Sequence, residues 1–265
     1  GRQHIQSDLI LLMDADIQLE PGILKSLVAK LKKENLGFVS LMAELKMKNF
    51  WEKLLIPAYI YFFKLLFPFH LSNSKNRNFA SAAGGCILVK RAILEEIGGF
   101  DALKEAFIDD CSLAALVKSY EYRGWTGMTH SVKSHRSYSH LKEIWNLVSR
   151  FAFTYLKYSP VLLIICTILL VSCFWALPIV LFNTGVSFPI RAYLACGLIS
   201  MFGIYWPTIR YYKLSPVWVF LKPLAGSLYI LMTWTSAYRY YRGQRTEWKN
   251  RVYTKDLSSE DKNAA

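Results

Sequence analysis

Asp8-Leu9-Ile10-Leu11-Leu12-Met13-Asp14-Ala15-Asp16 is an apolar run that stops on two carboxylates. Residues 8–13 read as a buried parallel strand, because no polar residue alternates with the apolar ones. Pro21 suits the first turn of a following helix, where its missing N–H would have had no partner. Ile23, Leu24, Leu27, Val28 and Leu31 then recur at helical spacing up to the polar run Lys32-Lys33-Glu34-Asn35. Gly37 closes that helix, and a second short strand follows at about 38–42. Strand, acidic loop, helix and strand in this order make an α/β pattern.

The pattern continues outward. Residues 72–78 are polar and loop-like, Gly84-Gly85 precedes an apolar strand from Cys86 to Val89, and a helix from Arg91 stops at Gly98-Gly99. Asp109-Asp110 opens another helical run through Leu113, Leu116 and Val117, ending near Gly124. One of these two aspartates can serve as a helix cap, satisfying free backbone N–H groups. Residues 50–69 are aromatic and apolar but broken by Lys53, Pro57, Lys64 and Pro68. Their length and charge favour a helix lying at a membrane interface; a buried core helix is the alternative.

Composition points to two environments. The chain has 265 residues, 53% of them hydrophobic and 19% charged, an apolar share above that of soluble domains. The formal net charge is +13. Long uncharged apolar stretches argue against a nucleic-acid binder, which leaves anionic membrane surfaces and phosphate-bearing substrates. Cysteines 86, 111, 166, 173 and 196 form no C-x-x-C pair, so neither structural zinc nor a disulfide framework is expected. The first residue is Gly, not Met, and the chain reads as a fragment whose N-terminal part is missing.

The resulting organisation has a partial catalytic domain over 1–140 and an amphipathic interfacial segment over 141–160. A transmembrane region of two or three spans covers 161–238, and a basic then polar tail covers 239–265. Residues 161–182 and 192–209 carry no charge, whereas Lys222 and Pro223 interrupt 216–238. Arg239, Arg242, Arg245, Lys249 and Arg251 belong on the cytoplasmic side by the positive-inside rule. Three full crossings from a cytoplasmic catalytic part would leave that tail outside, so either one stretch, most readily the third, does not cross, or residues 50–69 add a further crossing.

Two carboxylates one residue apart at a strand's carboxyl end suit a hard cation such as Mg²⁺ or Mn²⁺. Such an ion would hold a nucleotide diphosphate and neutralise it as a leaving group. The alternative is that Asp14 and Asp16 are simply turn residues. A phosphatase-type D-x-D-x-[TV] nucleophile is disfavoured by Gln18 at the last position. A transporter would need ionisable residues within its apolar stretches, and only Lys222 qualifies.

Taken in order, Asp14-Ala15-Asp16, Ala83-Gly84-Gly85, Gly98-Gly99-Phe100-Asp101 and Asp109-Asp110 resemble the latter half of a family 2 glycosyltransferase over roughly residues 8–125. Ser134-His135-Arg136-Ser137-Tyr138 and Arg150 look closest to the membrane-bound, bacterial hopene-associated branch. The resemblance implies an α/β fold: the C-terminal part of a GT-A (Rossmann-like) domain, followed by transmembrane helices. It implies an inverting enzyme of the bacterial inner membrane, its catalytic part cytoplasmic, moving sugar from a nucleotide-sugar donor, UDP-linked, to a lipid acceptor. Asp14 and Asp16 would form the metal and diphosphate motif, and Asp110 would be the general base. Asp109, a shorter carboxylate where that family usually has Glu, would be the second catalytic residue and orient the acceptor. Gly84 and Gly85 would allow close approach of backbone to a sugar, or merely make a turn. Arg136, with His135, and Arg150 would contact phosphate or acceptor, although Arg150 suits a lipid headgroup equally.

Overall fold

The computed structural model describes residues 7–103, 109–183 and 185–243, with the backbone alone at Asp109, 247–248 and 251–252. The chain divides into two units, one of 1–52 with 59–138 and the other of 53–58 with 139–265.

In the first unit β1 (Leu9–Met13), β2 (Ile17–Leu19), β3 (Phe38–Glu44), β4 (Cys86–Lys90) and β5 (Gly124–Ser134) form one mixed sheet ordered β1-β4-β3-β5-β2. Its helices are α1 (Ile23–Lys33), α3 (Phe69–Ser72), α4 (Arg91–Glu96) and α5 (Asp109–Ser119), while α2 (Phe50–Leu66) is divided between the units, residues 53–58 counting with the second. Period-two alternation sorts the strand residues onto two faces. Ile10, Phe38, Ile87 and Val89 pack with Ile93, Leu94, Leu113, Ala114 and Val117 of α4 and α5. Val39, Leu41, Cys86, Leu88 and Val132 pack with Leu27 and Leu31 of α1. Covering both faces explains why these strands read as unbroken apolar runs.

One expectation is corrected. Among the described residues β1 is not in a parallel pair: it lies at the sheet edge and pairs with β4, antiparallel, Leu9 opposite Lys90 and Met13 opposite Cys86. Its apolar run reflects two covered faces, Leu9 and Leu11 on one side and Ile10 and Leu12 on the other. β4 also pairs antiparallel with β3, and β3 pairs parallel with β5. β1, β3 and β5 therefore point the same way, and their carboxyl ends share one edge of the sheet.

β5 was not legible as a strand because Gly124 and Gly127 are poor strand formers and its run of polar residues breaks regular alternation. Glycine is required at its start: a Cβ on Gly124 would fall 2.1 Å from the buried Phe38 ring. On α2, Leu54, Leu55, Ile56, Ala58 and Ile60 are buried, and Leu65 and Leu66 at its end are exposed. A capping box starts α2, the Asn49 side chain accepting from the Glu52 N–H and Glu52 accepting from the Asn49 N–H.

The second unit is helical: α6 (Leu141–Tyr155), α7 (Pro160–Val171), α8 (Leu177–Leu181), α9 (Phe188–Tyr211), α10 (Val217–Phe220) and α11 (Lys222–Tyr241). A π turn at Ser172–Ala176 joins α7 to α8. Pro160–Leu181 and Phe188–Tyr211 are long and apolar enough to cross a membrane. Ile164, Ile168, Leu169, Ile179 and Ile199 point outward from them, as in a helix that faces lipid. Trp234 Nε1 donates to Thr167 Oγ1 at 3.0 Å and Trp175 Nε1 to Ser227 Oγ at 2.9 Å. α11 thus runs antiparallel to the first apolar helix, with Ala237 packed on Leu163 near its start. At the other end of α11 the buried Lys222 donates to the Met201 carbonyl at 2.9 Å, midway along α9.

Candidate active site

The site forms where β1, the loop before β4, the start of α5 and the end of β5 meet. After β1 the chain turns tightly, the Ile17 N–H donating to the Asp14 carbonyl at 3.1 Å. The Asp14 N–H donates to the Gly85 carbonyl at 3.4 Å, extending the β1–β4 ladder by one step. Asp14 is exposed and Asp16 half-buried. The Asp16 carboxylate accepts from Ser134 Oγ at 2.6 Å, and its carbonyl accepts from the His135 N–H at 2.7 Å.

The loop before β4 is fixed from several sides. Asn73 exchanges two bonds with the Thr126 backbone, at 3.0 and 2.8 Å, and Thr126 Oγ1 donates to the Ser81 carbonyl at 2.6 Å. Lys118 is buried and donates to the carbonyls of Ser72, Ser74 and Phe79. Burial pulls its ammonium below the ordinary lysine value, and the three carbonyls supply the polar contacts that a buried cation needs. Ser40 Oγ both donates to the Ala83 carbonyl, at 3.1 Å, and accepts from the Ala83 N–H, at 2.8 Å.

This clamping presents the Gly84 N–H to Asp110, whose Oδ2 accepts it at 2.8 Å. Asp110 Oδ1 accepts from the Cys111 N–H at 2.7 Å. Both carboxylate oxygens are thereby oriented. A Cβ at position 84 would lie 3.1 Å from Asp110 Oδ2, so a larger residue there would make the carboxylate shift by a few tenths of an ångström. Two consecutive residues, Gly84 and Gly85, thus touch both acidic positions: Gly85 meets the Asp14 backbone and Gly84 meets the Asp110 carboxylate.

Of the residues expected from sequence, Asp14, Asp16, Gly84, Gly85 and Asp110 come together here. Arg136 is adjacent, its N–H donating to Ser134 Oγ at 3.1 Å and its guanidinium 5.3 Å from the Tyr138 ring centre. Arg150 belongs to the second unit, on α6, with its guanidinium 5.5 Å from the Phe151 ring centre. The Asp109 side chain lies outside the described residues. Sequence reasoning gave no contact role to Ser134, Ser40 or Glu52. Only Glu52 had a local signal, the capping-box spacing from Asn49.

The donor set fits a hard divalent cation. Asp14 and Asp16 place two carboxylates at a strand end, Asp14 exposed and Asp16 bonded to Ser134 Oγ. Among the described residues no group of three or more His, Cys, Asp or Glu encloses a metal. Remaining coordination would fall to phosphate and water, the usual mode for Mg²⁺.

The family model of Glycosyl transferase family 21 matches residues 1–259. No curated protein matches the chain.

Proposed function

As the chain belongs to glycosyl transferase family 21, we propose that it moves sugar, with inversion, from a UDP-linked nucleotide-sugar donor to a membrane lipid acceptor. The observation that carries this reading is the Gly84-Gly85 link between the Asp14 backbone and the Asp110 carboxylate. An inverting displacement needs a base on the acceptor side and charge stabilisation on the leaving-group side. Asp110 takes the proton of the acceptor hydroxyl as that oxygen forms its bond to the anomeric carbon. The anomeric carbon's bond to the phosphate oxygen breaks, and the nucleoside diphosphate departs. Asp14 and Asp16 would hold Mg²⁺ or Mn²⁺, which when bound would offset the charge building on that diphosphate. Arg136 adds positive charge beside the same strand end. The GT-A relationship and a hopanoid-like acceptor follow from the motif resemblance.

The membrane attachment belongs to this reading. Two crossings at Pro160–Leu181 and Phe188–Tyr211, with α11 antiparallel to the first, let the third apolar stretch enter and leave on one face. Arg239 and Arg242, at the end of α11, then lie on the cytoplasmic side of a bacterial inner membrane.

Intact protein in its membrane, supplied with UDP-sugars, is the test. Nucleoside diphosphate release is expected to fall about 100-fold on chelation and to return with Mn²⁺ or Mg²⁺. Asp14→Asn and Asp16→Asn should each raise the metal concentration required. Undiminished release in the presence of chelator would overturn the metal assignment.

A further inference from the structure

We propose that Ser134 is the positioning residue for Asp16, setting the direction of its carboxylate toward a divalent cation; this rests on the metal reading above. Ser134 is the last residue of β5 and is only 4% exposed. Its hydroxyl has one proton, and the neighbouring contacts decide where that proton goes. The Arg136 N–H donates to Ser134 Oγ at 3.1 Å, so an oxygen lone pair is engaged there. The proton is directed to Asp16 Oδ2 at 2.6 Å.

The Asp16 backbone is held by the same strand end. Ile17 pairs with Ser134 across β2 and β5, and the His135 N–H donates to the Asp16 carbonyl at 2.7 Å. The segment that follows is anchored in turn: the buried Glu52 accepts from Ser137 Oγ at 2.9 Å and from the Tyr138 N–H at 2.7 Å. Main chain and side chain of Asp16 are thus fixed from one side.

The chemistry of the partner matters as much as its place. A neutral hydroxyl orients a carboxylate and leaves its full negative charge for a cation. Lys or Arg at that position would compete with the metal for the same charge. Hydrogen bonds of this kind orient metal ligands, and their loss weakens metal affinity by about 10- to 100-fold. Ser134 touches neither substrate nor cation; it acts through Asp16.

The test uses the full-length protein and Mn²⁺ as probe, with bound metal read by electron paramagnetic resonance beside transfer measured against Mn²⁺ concentration. Ser134→Ala is expected to weaken Mn²⁺ binding about 10-fold, with kcat at saturating Mn²⁺ within about twofold of the parent. Ser134→Thr, which keeps the hydroxyl, should bind Mn²⁺ like the parent. Ser134→Val, of the same shape without the hydroxyl, should behave like the alanine variant. The Thr and Val pair decides the matter if Ser134→Ala does not fold. Parent-like Mn²⁺ binding in Ser134→Val, with binding lost in Asp16→Asn, overturns the positioning role alone. Parent-like binding in Asp16→Asn overturns the metal reading and this inference with it.

Discussion

Asp110→Asn in the intact enzyme is expected to lower transfer by about 10²- to 10⁴-fold, the range for loss of a general base. Metal-dependent donor binding should survive, because Asp14 and Asp16 are untouched. The amide is close in shape to the carboxylate but accepts hydrogen bonds at one oxygen only. It cannot accept from both the Gly84 and the Cys111 N–H groups, which now meet separate oxygens at 2.8 and 2.7 Å. A modest loss of stability, about 1 kcal/mol for one broken bond, therefore accompanies the loss of base. Equilibrium donor binding in the presence of Mn²⁺, measured beside single-turnover transfer, separates the effects. Parent-like transfer would remove Asp110 from the chemistry.

Glu52→Gln carries the largest expected effect on stability. Glu52 is fully buried, one oxygen accepting from the Lys48 and Asn49 N–H groups and the other from Ser137 Oγ and the Tyr138 N–H. The glutamine NH₂ would replace one of those oxygens and face two donors, leaving them without an acceptor. The expected cost is on the order of 3 kcal/mol, read as a shift in the denaturant midpoint. Burial alone would raise the Glu52 carboxyl, but these hydrogen bonds outweigh it and hold it below its ordinary value of 4.5. As pH falls, the unfolded chain takes up the proton first. The stabilisation is present above the unfolded value and is lost as pH falls through the folded one. The parent should therefore lose stability more steeply than Glu52→Gln as pH drops below about 4.5. Identical slopes would show that this carboxylate is not held in its ionised form.

Where local pattern and burial coincide, the fold could be read from the chain. β1, α1, β3, β4 and α4 each answer to an apolar run or a helical spacing, and Gly98, with φ of +90°, stops α4 where a glycine was seen. β5 escaped because close packing put glycine where strand residues were sought, with Gly124 against Phe38. The strand direction of β1 also escaped, since unbroken apolarity reports two covered faces and not which neighbour pairs. For α2 two readings stood side by side, because length and apolarity are shared by interfacial and buried helices.

The same division runs through the site. Asp14, Asp16, Gly84, Gly85 and Asp110 were visible as short motifs in order. Ser134 was not, because its bond to Asp16 joins residues 118 apart and no local pattern announces it. The Asn49–Glu52 capping box could have been read locally, but its second pair of contacts, to Ser137 and Tyr138, could not.

The proposed single displacement sets Asp110 and the Asp14–Asp16 pair on opposite faces of one sugar. The most direct measurement is the anomeric configuration of the first-formed glycolipid, from the proton coupling at the anomeric carbon, with an α-linked nucleotide-sugar as donor. A β-linked product is predicted. An α-linked product would contradict the single displacement and the role given to Asp110.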